Sequence, residues 1–250
     1  MPDSLAPLVT VGLTFLFAGW VKGVVGMGLP TVAMATLGLF MPPVQAAALL
    51  VVPSLVTNLW QLVVGPALLA LIRRLGSLML CVCLGTFLGI GLLTSASSKW
   101  PSMALGAVLA IYATVALCMP RLSTPRRAEW LLSPAIGLIT GMLTGATGVF
   151  VVPVVPYLSA LDLGREELIQ ALGLSFTVST LALATALAVS GRYPGALATS
   201  STLAVVPALA GMLAGQWLRA KLDPKVFRRW FCRAMLGVGL FMVVRALLAG

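Results

Sequence analysis

The chain has 250 residues, of which 60% are hydrophobic and 9% charged, whereas an average soluble domain is about 45–50% apolar and about 25% charged. That gap excludes an ordinary soluble domain, a disordered chain and a nucleic-acid binder. The excess of 16 Lys and Arg over 6 Asp and Glu reads as the positive loops that orient a membrane protein.

Apolar stretches run almost end to end: 5–22, 29–41, 44–70, 75–95, 101–119, 131–146, 149–161, 167–190, 195–217 and 230–248. A helical span needs about 20 such residues, and lipid offers no partner to exposed backbone, so helix is the expectation throughout. The start, MPDSLAPLVTV, has neither a basic leader nor an A-x-A site and reads as a retained first segment.

Two places interrupt the pattern. Residues 22–30 read KGVVGMGLP and residues 141–153 read GMLTGATGVFVVP. Gly and Pro break the helical ladder, and irregular backbone at membrane depth survives only inside protein or beside a wet cavity. The thirteen-residue segments after the breaks, 29–41 and 149–161, would span about 20 Å as helix, short of the ~30 Å hydrocarbon core. Each break with its flanks therefore reads as a re-entrant or broken helix pair.

The breaks also read as copies. Gly19, Gly23 and Gly26 recur as Gly141, Gly145 and Gly148 at an offset of 122, and Gln45-Ala46 and Ser54 recur as Gln170-Ala171 and Ser179 at an offset of 125. The expected organisation is a repeat over 1–122, a cytoplasmic linker over 123–130 and a second repeat over 131–250. Returning each broken pair to the side it entered from puts twelve Lys and Arg on one side against three (Lys99, Arg192, Arg245), with Lys22 unassigned; a single crossing of 131–161 gives seven against eight. The positive-inside rule selects the first arrangement. The expected fold is thus an all-α integral membrane protein, a polytopic bundle of two inverted-topology repeats, each a broken helix pair plus three full spans, with both termini outside the cytoplasm. Inverted repeats with discontinuous helices are a transporter architecture whose site lies near the midplane, where the broken helices meet.

Lys22 is the sole Lys or Arg in the first 72 residues and sits at the first break. A cation inside the membrane is costly and marks function, and beside free N–H groups it would favour an anion; the other reading is a side chain snorkelling to water. Gly23, Gly26, Gly28, Gly145 and Gly148 permit tight turns and close backbone approach, or close helix packing. Thr144, at the position matching Lys22, and Thr147 are the polar side chains of the second break. Ser54, Thr57, Asn58 and Gln61 share a helical face, and Ser179 belongs to the equivalent stretch. The binding set is Lys22, Gly23, Gly26, Gly28, Asn58, Gln61, Thr144, Gly145, Thr147, Gly148 and Ser179. Trp20 and Trp60 join the other tryptophans in an expected interfacial belt.

No His occurs, and Cys81, Cys83, Cys118 and Cys232 form no CxxC pair, so no metal or cofactor is expected. The acids fall in loops or at stretch ends, and there is no Walker A run, no HExxH and no nucleophile–base pair. An enzyme and an ATP-driven pump are not expected.

The segments GWVKGVVGMGLPTVAMATLGLFMPPVQAAALLVVPSLVTNLWQ and GMLTGATGVFVVPVVPYLSALDLGREELIQALGLSFTVSTLALA resemble the TauE/SafE family of sulfite and organosulfonate exporters. Many members carry GxGGG after the first break; here Gly26-Met27-Gly28-Leu29-Pro30 and Gly148-Val149-Phe150 replace it. The resemblance implies a small-anion transporter of the cytoplasmic membrane, handling sulfur oxyanions or sulfonates and acting as an exporter. The combined expectation is a secondary transporter working by alternating access, with a small anion, membrane lipid and a coupling ion (proton or sodium, not visible in the sequence) as partners. The alternatives are an anion channel or a non-transporting membrane subunit.

Overall fold

The computed structural model describes residues 5–95, 99–118, 124–191, 195–219 and 224–248. Those residues contain helices and no strand. In chain order they are α1 (Leu5–Val25), α2 (Leu29–Leu37), α3 (Pro43–Val64), α4 (Leu68–Leu93), α5 (Lys99–Cys118), α6 (Arg126–Thr147), α7 (Val154–Ser159), α8 (Arg165–Val189), α9 (Gly195–Leu203), α10 (Val205–Arg219) and α11 (Pro224–Leu248). Among the described residues, eight helical stretches are long and apolar enough to cross a membrane, α10 with the end of α9 counting as one. This is a multi-pass, all-helical membrane protein.

Both expected breaks are present, and the helices before them run further than the sequence pattern indicated. α1 continues through Lys22 to Val25 and stops where Gly26 and Gly28 take φ of 86° and 105°, a region open to glycine at little cost. α6 stops at Gly148, φ 73°. It starts at Arg126, inside the stretch expected as linker, and the short helices that follow the breaks have nine (α2) and six (α7) residues rather than thirteen. The expected stretch 44–70 is divided by Gly65-Pro66, because a proline and the residue before it resist continuing a helix.

Side-chain bonds fix how the hairpins fold back. Lys22 reaches Asn58 and Gly26 meets Gln61, so α1 and α3 run in the same direction and the chain must return through α2. In the second hairpin the Thr124 N–H donates to the Ala160 carbonyl at 2.8 Å, which brings the start of α6 and the end of α7 together. Arg74 of α4 closes this corner. It donates to both Glu129 carboxylate oxygens, at 2.8 and 2.6 Å, and to the Leu161 carbonyl at 3.1 Å.

The two largest helix pairings are α4 with α6 and α1 with α10. Both are parallel crossings over small residues. A Cβ on Gly23 would strike the Met212 carbonyl, the Gln216 amide and Gly215; one on Gly145 would strike the Thr86 carbonyl, the Ile90 amide and Gly89. The second set is the first shifted by 126 residues, while Gly145 is Gly23 shifted by 122. The reverse contacts agree: Gly85 faces Leu138 and Met142, and Gly211 faces Leu16 and Trp20. Small residues let membrane helices approach closely where burial of apolar surface offers little driving force.

α3 and α8 cross in opposite directions, joined at one end by Gln170. Its amide donates to the Leu62 and Gly65 carbonyls at 2.8 and 2.7 Å and accepts from the Ala67 N–H at 2.7 Å. Pro53 inside α3 cannot donate to the Leu49 carbonyl; the buried Ser201 hydroxyl of α9 donates there instead, at 2.8 Å.

Candidate functional site

Four helix ends meet at one face of the bundle: the C-terminal ends of α1, α3 and α10 and the N-terminal end of α8. Between them lies a cavity of about 670 Å³. Lys22 and Gln61 line it with Gly23 and Gly26, and Met212, Gln216 and Trp60 form its sides. Arg165, Glu166 and Arg219, at helix ends, complete the lining with Val64, Gly65 and Ile169. Three cations against one carboxylate make the space electropositive.

Lys22 does not snorkel: it is 2% exposed. Its ammonium donates to the Asn58 side-chain oxygen and to the Thr57 hydroxyl oxygen, the latter at 3.1 Å. The hydrogen-bond directions behind it are fixed. The Thr57 hydroxyl donates to the Pro53 carbonyl at 2.8 Å, which leaves a lone pair for Lys22. The Asn58 amide donates to Thr180 at 3.3 Å, and the Thr180 hydroxyl donates to the Phe176 carbonyl at 2.7 Å. The chain from α8 through α3 therefore presents acceptors to the ammonium. An ammonium has three donors, so two are held and one remains for a ligand. Among the described residues the one ion pair is Arg74–Glu129, and Lys22 has no carboxylate partner. An unpaired buried cation is costly, so an anion in the cavity would be strongly favoured.

Of the expected binding set, the structure gathers Lys22, Gly23, Gly26 and Gln61 around the cavity, with Asn58 directly behind Lys22. Gln61 donates to the Gly26 carbonyl at 2.7 Å, holding the first break against α3, while its side-chain oxygen is buried with no partner. Gly28 faces Val21 and Phe231 instead. Ser179 lies buried in α8 beside Thr180, its hydroxyl unpartnered. The second break lies apart from this cavity. Gly145 is in the α4–α6 crossing, Gly148 abuts Met34 and Ala47, Thr144 is turned to the Thr140 carbonyl at 2.7 Å, and Thr147 to the Leu143 carbonyl at 2.7 Å. The cavity takes no lining from residues 141–161.

Arg165, Arg219 and Gln216 line the site without having been singled out in the sequence, and Trp60, for which a cavity was the second reading after the belt, lines it too. In the sequence the two arginines read as topology charges and Trp60 as a belt residue, half exposed as such a residue would be. No spacing signal separates a cavity-mouth arginine from a loop arginine; only the tertiary approach of α8 to α10 does.

The family profile of the sulfite exporter TauE/SafE matches residues 11–242, nearly the whole chain. The chain belongs to the TauE/SafE family. No match was found among curated proteins or solved structures. Both quoted break motifs, Lys22 and every residue lining the cavity fall inside the matched region of this TauE/SafE member. Membership makes it a membrane permease with a small substrate, working in a lipid environment.

Proposed function

We propose that this protein is a secondary transporter that exports a small sulfur-containing anion, sulfite or an organosulfonate, across the cytoplasmic membrane by alternating access. The observation that carries the proposal is the buried, carboxylate-free Lys22 ammonium in an electropositive cavity. The anion enters between Arg165 and Arg219, loses water, and takes the third Lys22 donor together with the Gln216 amide. The Thr57–Asn58–Thr180 chain holds the ammonium in place, so little ordering is needed when the ligand arrives. Arg73, Arg74, Arg126 and Arg127 lie near helix ends on the same face as the cavity mouth, and by the positive-inside rule that face is cytoplasmic. A cavity open to the cytoplasm and loaded with cations suits an exporter collecting anions from inside the cell. The contact sets shared by α1–α10 and α6–α4 support two repeats of opposite orientation, the arrangement in which rocking of one repeat against the other exposes a site alternately.

The test is reconstitution in liposomes with trapped sulfite, sulfate, thiosulfate, sulfoacetate or acetate, following efflux. Saturable, counter-anion-stimulated efflux of a sulfur oxyanion or sulfonate, and none of acetate, is expected. Single-channel conductance would make the protein a pore, and no movement of any of the five would end the transport reading.

A further inference from the structure

The shared contact sets extend to the cavity wall, and they lead to a second lining. Shifting Lys22 by 122, Gln61 by 125, and Met212, Gln216 and Arg219 by −126 gives Thr144, Ala186, Thr86, Ile90 and Leu93. Shifting Ile169 by −125 gives Val44. We infer that these six residues form the exit path of the anion on the opposite face of the membrane, closed in this structure. The inference rests on the alternating-access reading of the cavity.

Three observations support it. First, the backbone contacts that place Gly23 against α10 (a carbonyl oxygen, an amide nitrogen and a glycine) are reproduced, residue for residue, where Gly145 meets α4. The second lining is thus assembled on the same scaffold as the first. Second, it is shut. Thr144, Thr86, Ala186 and Leu93 are all at least 99% buried, and Ile90 and Val44, partly buried, pack against the hydrophobic core. Both threonine hydroxyls are turned to their own helix carbonyls, Thr144 to Thr140 at 2.7 Å and Thr86 to Val82 at 2.8 Å. Apolar side chains stand where Gln216 and Arg219 flank the open cavity. Third, it carries no charge. Lys22 becomes Thr144 and Arg219 becomes Leu93.

The charge difference gives the path a function. Along these six residues an anion that leaves Lys22 meets only neutral hydroxyls and apolar surface, so it is held weakly and released. The asymmetry does not change the end point of transport, which the gradients fix. It sets the half-saturating concentration lower on the cytoplasmic face than on the outer face.

The experiment uses full-length protein in which the four native cysteines are replaced by alanine and which still exports the anion, carrying either Ile90→Cys or Gln216→Cys. Right-side-out proteoliposomes are loaded with sulfoacetate, which does not consume thiol reagents, and an impermeant maleimide is added outside or trapped inside. Gln216→Cys should label from inside. Ile90→Cys should label from outside, and only while anion is being exported. A minor conformer is populated at about 0.1–10%, so turnover should raise outside labelling of Ile90→Cys by about tenfold or more. If efflux proceeds and Ile90→Cys never labels from outside, or labels from inside as fast as Gln216→Cys, the exit path is elsewhere. If no variant and no native protein exports any anion, the failure belongs to the transport reading and not to the path.

Discussion

In the proposed mechanism the anion preference depends on Lys22. Lys22→Gln preserves length and polarity and removes the charge. A charge-assisted hydrogen bond contributes about 1.5–3 kcal/mol, and 1.4 kcal/mol is tenfold in affinity. Half-saturation for the exported anion should therefore rise by about ten- to a hundredfold, read in the efflux assay at equal reconstituted protein. Lys22→Arg should also be impaired, because a planar fork cannot meet the Thr57 and Asn58 acceptors from the place of a compact ammonium. Thr144→Val, at the matching position, should change half-saturation much less, since that hydroxyl is spent on its own helix. Efflux by Lys22→Gln indistinguishable from the native protein would remove Lys22 from the site.

At the scale of helices, glycine and proline do different jobs. Gly26 and Gly28 turn the chain at the first break, whereas Gly23 and Gly145 let two helices touch. Gly145→Leu would place a branched side chain into the Thr86 carbonyl and the Ile90 amide. Overpacking a tight contact costs about 1–3 kcal/mol or more, and here backbone is the obstacle. The expected outcome is poor insertion and a broadened, lowered thermal transition in detergent, not a folded but inactive carrier. A native-like transition with transport lost would return Gly145 to a substrate role. Pro53 makes a second prediction. It frees the Leu49 carbonyl, which the Ser201 hydroxyl satisfies across helices. Interhelical bonds of this kind average about 0.6 kcal/mol in membranes, with a maximum near 1.7. Ser201→Ala should lower the melting temperature by a small but measurable amount and leave affinity unchanged. A large change in half-saturation would mean that α9 shapes the site.

For the whole molecule, the geometry and the charge distribution make one testable statement about orientation. Thr124 and Gly164 flank the second hairpin on the face of the cavity, and Ser95 and Ser190 lie at the far ends of α4 and α8. In whole cells and inverted vesicles, single cysteines at Thr124 and Gly164 should react only from the cytoplasm and those at Ser95 and Ser190 only from outside. Thr124 and Gly164 reacting from opposite faces would contradict the return of the α6–α7 hairpin and with it the inverted arrangement.

The sequence by itself determined the class of molecule, the two breaks, the 122-residue offset between them and Lys22 as the unusual cation. These follow from composition, from Gly and Pro positions and from the cost of charge in lipid, all of them local properties of the chain. The same local reading could not tell a turn glycine from a contact glycine. Both need a missing side chain, and the difference lies in a partner helix almost 190 residues away for Gly23 and about 56 residues back for Gly145. The expected meeting of the two breaks at one site also lay beyond it. Tertiary packing gathered Lys22, Gln61, Gln216 and two arginines from four helices around one break and closed the space beside the other. Which break carries a cavity depends on how the helices pack around it, and that is a property of the assembled bundle.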